Sequence, residues 1–141
     1  MASGKSTARA NVALDYLLET GTPTRPGATN NLRIALCMTT NPSASSAATG
    51  LTAGSGYTAG GELITFSAAS SASTTGDPSS AISWTNGSGG DWTITGAVIH
   101  DAGTSHPTAS DVVYFDDAFD VVVPDGATLE IAIDGVTITE A

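Results

Sequence analysis

The chain has 141 residues, enough for one domain around a single buried core. Only 13% of them are charged, and Gly, Ser, Thr and Ala are used heavily, so much of the surface is small and neutral. The net charge of −10 argues against nucleic acid as a partner, because phosphate binding needs clustered Lys and Arg.

The charge is unevenly placed. All four cations, Lys5, Arg9, Arg25 and Arg33, lie in the first 33 residues, which carry +2 once Asp15 and Glu19 are counted. The remainder holds twelve acids and no Lys or Arg. A positive leader and an acidic body attract each other, within one molecule or between neighbours. Cys37 is the only cysteine, so an internal disulfide framework is excluded, and its apolar setting reads as a small buried hydrophobe. Residues 1–30 show no continuous apolar run of a signal peptide, and no run reaches the length of a membrane span. Synthesis in a cytoplasm, with no membrane partner, is the expectation.

Residues 6–20 are the one helix candidate. Ala10, Ala13, Leu14, Leu17 and Leu18 form a single apolar stripe, Ser6 or Thr7 can cap the start and Gly21 can end it. The segment Thr22-Pro23-Thr24-Arg25-Pro26-Gly27 reads as an extended linker. A short helix on such a tether is not stable alone and must dock on something. Residues 1–29 are therefore read as a helical arm with its linker, and residues 30–141 as a β-domain.

The first strand runs from Leu32 to Met38, and a long Thr/Ser/Ala/Gly loop over 39–61 follows. Glu62 to Ser67 is a second strand, and 68–79 a second loop. Ile82 and Trp84 share a face of the next strand, and Asn86-Gly87-Ser88-Gly89-Gly90 is a strong turn. Residues 90–102 form the longest strand-like run, with Trp92, Ile94, Gly96, Val98 and His100 on the expected core face. Gly96 leaves a gap where a backbone or ring can approach. Residues 102–110 are a loop. Asp111–Phe115, Phe119–Val123 and Thr128–Ile133 are further strands, and Asp134-Gly135 reads as a hairpin turn into Val136–Thr139. About eight short strands separated by turn signals suit a sandwich or barrel.

Candidate chemistry is sparse. Ser3-Gly4-Lys5-Ser6-Thr7 holds the end of a phosphate-binding loop without the preceding strand and glycine, so it reads as a polar helix start. His100 and His106 lie near Asp101 and Asp111, but no Gly-x-Ser-x-Gly elbow marks a nucleophile and no HExxH spacing marks zinc. Asp111, Asp116, Asp117, Asp120 and Asp125 could approach one another around calcium, yet no EF-hand spacing is matched. Asn86-Gly87-Ser88 fits a glycosylation sequon but reads as a turn. No catalytic, cofactor-binding or metal residue is singled out, and no enzyme activity or cofactor is expected.

Gly90-Asp91-Trp92, Ile94 and Gly96-Ala97-Val98-Ile99-His100-Asp101-Ala102-Gly103 resemble the signature of a family of small tailed-bacteriophage virion proteins. Asn31–Leu36, Thr40-Asn41-Pro42, Gly56-Tyr57, Ile64–Ala69, Val113-Tyr114-Phe115, Gly126–Leu129 and Val136–Thr139 follow in the family's order, so the resemblance spans about residues 5–139. Tyr57-Thr58-Ala59-Gly60 replaces the family's Arg after its Tyr-Ala step. The resemblance implies an all-β fold, a β-sandwich of jelly-roll type with a short N-terminal helical arm. It also implies a structural place on the virion, as head decoration or cement, head fibre or tail-fibre component, and the reading taken among these is a cement or decoration protein on the outer capsid surface. Its partners would be the major capsid protein and copies of itself, as a homotrimer. The alternative is a head- or tail-fibre adhesin that binds a host glycan, with Tyr57, Trp84 or Tyr114 exposed in a groove.

Overall fold

The computed structural model describes residues 3–5, 7, 11, 32–51, 53–68, 73–76, 80–133 and 135–139. Every named element among them is a strand: β1 (Ser3–Lys5), β2 (Arg33–Met38), β3 (Thr49–Gly50), β4 (Glu62–Leu63), β5 (Ser73–Gly76), β6 (Ile82–Thr85), β7 (Trp92–Ile94), β8 (Gly96–His100), β9 (Val112–Asp116), β10 (Val121–Val123), β11 (Thr128–Ile131) and β12 (Val136–Thr139). The described residues make an all-β fold with several sheets. Of the helix expected over 6–20 only Thr7 and Asn11 are described, the rest of it and the linker at 22–27 lie outside the described residues, and no helical arm is seen among the described residues. Ser3–Lys5, expected to open that helix, is a strand instead. It pairs antiparallel with Tyr114–Asp116, and Thr7 N–H donates to Ala44 O at 2.7 Å.

One sheet has six strands in the order β1-β9-β8-β2-β3, with β4 also on β2. The remaining strands form three antiparallel pairs, β7–β10, β6–β11 and β5–β12. Taken with β8–β9, the pairings are nested: the chain over 73–100 folds back along 112–139 as one antiparallel ribbon broken at corners. Ladder pairing of this kind satisfies the backbone polar groups of strands, such as β5, that have no apolar side chains.

Two expectations about strand order are corrected. Asp134-Gly135 does not make a hairpin of β11 and β12. β11 pairs with β6 and β12 with β5, while Gly135 N–H closes a local turn onto Ala132 O at 2.8 Å. The run at 90–102 is also not one strand. Thr95 N–H leaves the ladder for Cys37 O at 2.9 Å, and its hydroxyl donates to Thr40 O at 2.9 Å, so the chain turns between β7 and β8.

That corner inverts the faces. Trp92 and Ile94 belong to the main core, but beyond the corner Ala97 and Ile99 continue it, while Val98 enters a second cluster with Ala35, Cys37, Ala47, Val112 and Phe115. β8 is buried on both faces and β2 almost throughout, which period-two alternation cannot reveal. Gly96 does admit close neighbours, as its place in the strand suggests. A Cβ there would press on the Pro42 ring and lie 2.7 Å from Asp116 O.

The main core gathers Ile34, Leu36, Leu51, Tyr57, Ile64, Ile82, Trp84, Trp92 and Ile94. Each fully buried large side chain contributes about 1.5–3 kcal/mol. Tyr57 has an added task. β4 pairs with β2 at Arg33–Ile34 and β3 pairs with it at Cys37–Met38, which leaves a gap at Leu36. Leu36 N–H donates to the Tyr57 hydroxyl at 2.8 Å, and Leu36 O accepts from Leu51 N–H at 3.0 Å. The phenol thus stands in for a missing strand residue at the edge of β2, and burial pushes its pKa upward.

Candidate functional site

The two histidines and nearby acids were the only residues whose types suggested acid–base chemistry. His100 ends β8 and is wholly buried. Its Nε2 lies 2.9 Å from Gly60 O, a group that can only accept, so Nε2 carries the proton. Nδ1 then accepts from Ala102 N–H at 3.1 Å. Both nitrogens are engaged, so the ring offers no lone pair to a substrate or a metal. Burial, first, and the neighbouring His106 and Arg33 charges lower its pKa, against the Gly60 hydrogen bond and Asp101. His106 is half-buried, with Nε2 3.3 Å from Ala47 O and its ring against Gly50. The Asp111 carboxylate accepts from Thr108 N–H at 2.8 Å and Thr108 Oγ1 at 2.6 Å, closing its own turn.

The carboxylates considered for calcium are dispersed. Asp116 accepts from Ala118 N–H at 2.9 Å, Asp125 accepts from Gly89 N–H at 2.8 Å, and Asp120 is exposed. Among the described residues no group of three or more His, Cys, Asp or Glu side chains is placed to hold a metal. Cys37 is fully buried, its thiol lies 3.5 Å from Ala47 O, and burial pushes its pKa up to about 12. It behaves as the small hydrophobe its setting suggested.

Asn86 is not an exposed sequon. It is fully buried, and its amide nitrogen donates to Gly90 O and to Val123 O, both at 2.8 Å. Trp84 and Tyr57 are likewise in the core, 1% and 5% exposed, so neither presents a ring face for a sugar to stack on. This corrects the groove expected of an adhesin at those two positions. Tyr114 is half-buried.

What the fold does offer is an open trough of about 580 Å³. One wall is the six-stranded sheet, where register aligns Lys5, Tyr114, Ile99 and Ile34 in a single row across β1, β9, β8 and β2. The opposite wall is Ile131, Val136 and Ile138, with Phe119 at one side. The charged residues along it are Lys5 and Asp116. The trough can bury apolar surface, and its walls hold no convergent set of acid, base and nucleophile of the kind that marks an active site.

No protein-family model matches the chain, and no curated protein matches it. The phage-family resemblance therefore stands on the residues quoted for it, and the fold locates them. Trp92, Ile94, Gly96, Val98 and His100 are all buried. The centre of the signature is thus made of packing positions, while Gly90 and Asp91 at its start are exposed and Asp101, Ala102 and Gly103 at its end are half-buried. No helix among the described residues is long and apolar enough to cross a membrane.

Of three residues that organise this region, sequence reasoning passed over Gly61, read Tyr57 as a candidate groove aromatic and read Asn86 as a turn residue. Tyr57 sits in a loop of small residues, where an isolated aromatic is a usable signal of a buried anchor. The paired glycines Gly60-Gly61 signal close backbone approach. Asn86 carries no such signal, because a turn asparagine and a buried one look alike in sequence.

Proposed function

We propose that the chain is an accessory structural protein of a tailed-bacteriophage virion, made in the host cytoplasm and bound to the outer capsid surface as a cement. The fold we infer is a jelly-roll sandwich. The nested pairings β5–β12, β6–β11, β7–β10 and β8–β9 support it, since a jelly roll is a long antiparallel ribbon wrapped into two facing sheets. The observation that carries the functional reading is the burial of Trp92, Ile94 and Gly96–His100 within the signature: these residues specify a scaffold, and such a scaffold acts through the surfaces it presents.

The proposed mechanism is surface burial. A symmetric homotrimer spans joints between major capsid protein subunits, and the N-terminal arm ties neighbouring copies together. The segregated charge supports this, because a cationic leader is drawn to the acidic body of a neighbour. The placement of β1 supports it as well. Ser3–Lys5 is an edge strand joined to β2 only through residues 6–32, so its ladder with β9 can form within one chain or between two.

Apolar contact is expected to dominate the tie, since an arm that orders on docking contributes only after its entropy cost is met. Replacing both Leu14 and Leu17 by Asp is therefore expected to turn the oligomer into a folded monomer, read as molar mass by light scattering. An oligomer unchanged by that double substitution would contradict the role of the arm.

A further inference from the structure

The His100 ring joins two segments through its two nitrogens. On one side Nε2–H donates to Gly60 O, in the segment 53–61 that carries Tyr57 to the edge of β2. On the other side Nδ1 accepts from Ala102 N–H in the turn after β8. Gly60 N–H donates to Thr104 O at 2.9 Å, so the two segments are also bonded to each other. The packing leaves no slack: a Cβ on Gly60 would lie 2.6 Å from the Thr104 carbonyl carbon.

We propose that neutral His100 is a pH-sensitive latch, and that its protonation releases the 53–61 segment from the 101–104 turn while the rest of the fold stays intact. A proton added to Nδ1 sets two donors, Nδ1–H and Ala102 N–H, against each other in a site closed to water. One of them must move. The Ala102 turn is bonded through Thr104 to Gly60, so its movement strains the Gly60 corner as well.

The charges around the ring favour the neutral state overall. Arg33 lies directly opposite His100 in the β2–β8 register and opposes a second cation, as does His106 from the following loop. Asp101, next in the chain, acts the other way. The bulged partner strand presents apolar Val112 opposite His100, and the 53–61 segment brings no ionisable group except Tyr57, with Glu62 just beyond it.

The sign follows from linkage. A histidine whose folded pKa lies below its unfolded value of 6.5 contributes stability that is fully present above that pH. The contribution is lost as pH falls below it, because the unfolded or opened state binds the proton better.

Two measurements on the full chain test the latch. Imidazole nitrogen NMR at neutral pH is expected to show the Nε2–H tautomer and a His100 titration below that of a free histidine. Amide hydrogen exchange, corrected for the intrinsic rate, is expected to rise by up to about tenfold at Gly60 and Ala102 for each pH unit below the unfolded-state value of 6.5. Leu36 and Val98 amides, in the centre of the sheet, should stay protected over the same range. His100→Gln can donate to Gly60 O and accept from Ala102 without titrating, so it should hold both amides at a pH-independent level.

An ordinary titration with unchanged protection at Gly60 and Ala102 would overturn the proposal. Simultaneous loss of protection at Leu36 and Val98 would overturn it too, by showing global unfolding in place of a local release. The wild-type titration decides the matter even where the variant does not fold.

Discussion

Replacing Asn86 by alanine is expected to lower unfolding free energy by about 3–4 kcal/mol, since a fully buried side chain gives up four hydrogen bonds at once. The side chain is fully buried at the corner between β6 and β7. Its Nδ2 donates to Gly90 O and Val123 O, and its Oδ1 accepts from Ser88 N–H at 3.0 Å and Ser88 Oγ at 2.8 Å. Its backbone joins the same junction, with N–H donating to Ala127 O at 2.8 Å and the carbonyl accepting from Gly126 N–H at 2.7 Å. One residue therefore holds both runs of the ribbon where they turn together. Alanine keeps the two backbone bonds but takes the amide donor from Val123 O and the acceptor from Ser88 N–H, and leaves Gly90 O with only the Ser88 hydroxyl, 2.9 Å away.

Asn86→Asp is expected to be at least as harmful. A carboxylate cannot donate, and it would face two carbonyl oxygens in a buried site. Denaturant unfolding of the two variants measures both effects. A loss below about 1 kcal/mol in each, the size of one ordinary net hydrogen bond, would show that the corner is held by something else.

The second large effect is expected at Gly61. Its φ is 68°, in the left-handed region, and a Cβ there would collide with the Ile34 carbonyl oxygen and lie 2.8 Å from Ala35 Cα. Both atoms are backbone of a central strand and cannot swing aside. The close approach is what brings Gly61 O to the Arg33 guanidinium, which donates to it at 2.5 Å, and lets Gly61 N–H reach Thr58 O at 2.7 Å. Gly61→Ala therefore combines backbone strain with overpacking, a loss of about 3–5 kcal/mol. Gly89→Ala is the control. It shares a positive φ of 82°, but a Cβ there meets nothing within 4 Å, so it should cost only the strain, about 1–2 kcal/mol. Equal losses at the two glycines would mean that the contact with β2 carries no weight.

Much of the β-domain was legible in the sequence because its strands alternate. Ile82 and Trp84, and Trp92 and Ile94, are buried, while the residues between them are exposed. Position 96 was readable as a place of close approach because only a missing side chain admits the Pro42 ring. Legibility failed where burial is two-sided. β8 is enclosed on both faces, so the alternation through residues 96–100 held no information about which face belongs to which core.

β5 was invisible for the opposite reason. Ser73-Thr74-Thr75-Gly76 has no apolar side chain, and its place is set by backbone pairing with β12, more than sixty residues away. The hairpin signal at Asp134-Gly135 misled because local turn chemistry says where a chain bends and leaves open what it then pairs with. Of the candidate residues, the histidines and acids were found by type. Their roles as ring latch and turn closures depend on carbonyl and amide partners that have no side-chain signature.

The central claim is that this scaffold acts by covering capsid surface. The most direct test is to add the purified full chain to tailed-phage heads stripped of accessory proteins and to measure bound mass by sedimentation and cryo-electron microscopy. The account predicts saturable binding at a fixed ratio to major capsid protein, with density over subunit joints and heads that withstand more heat than bare ones. A folded chain that leaves the heads bare at every concentration would contradict it.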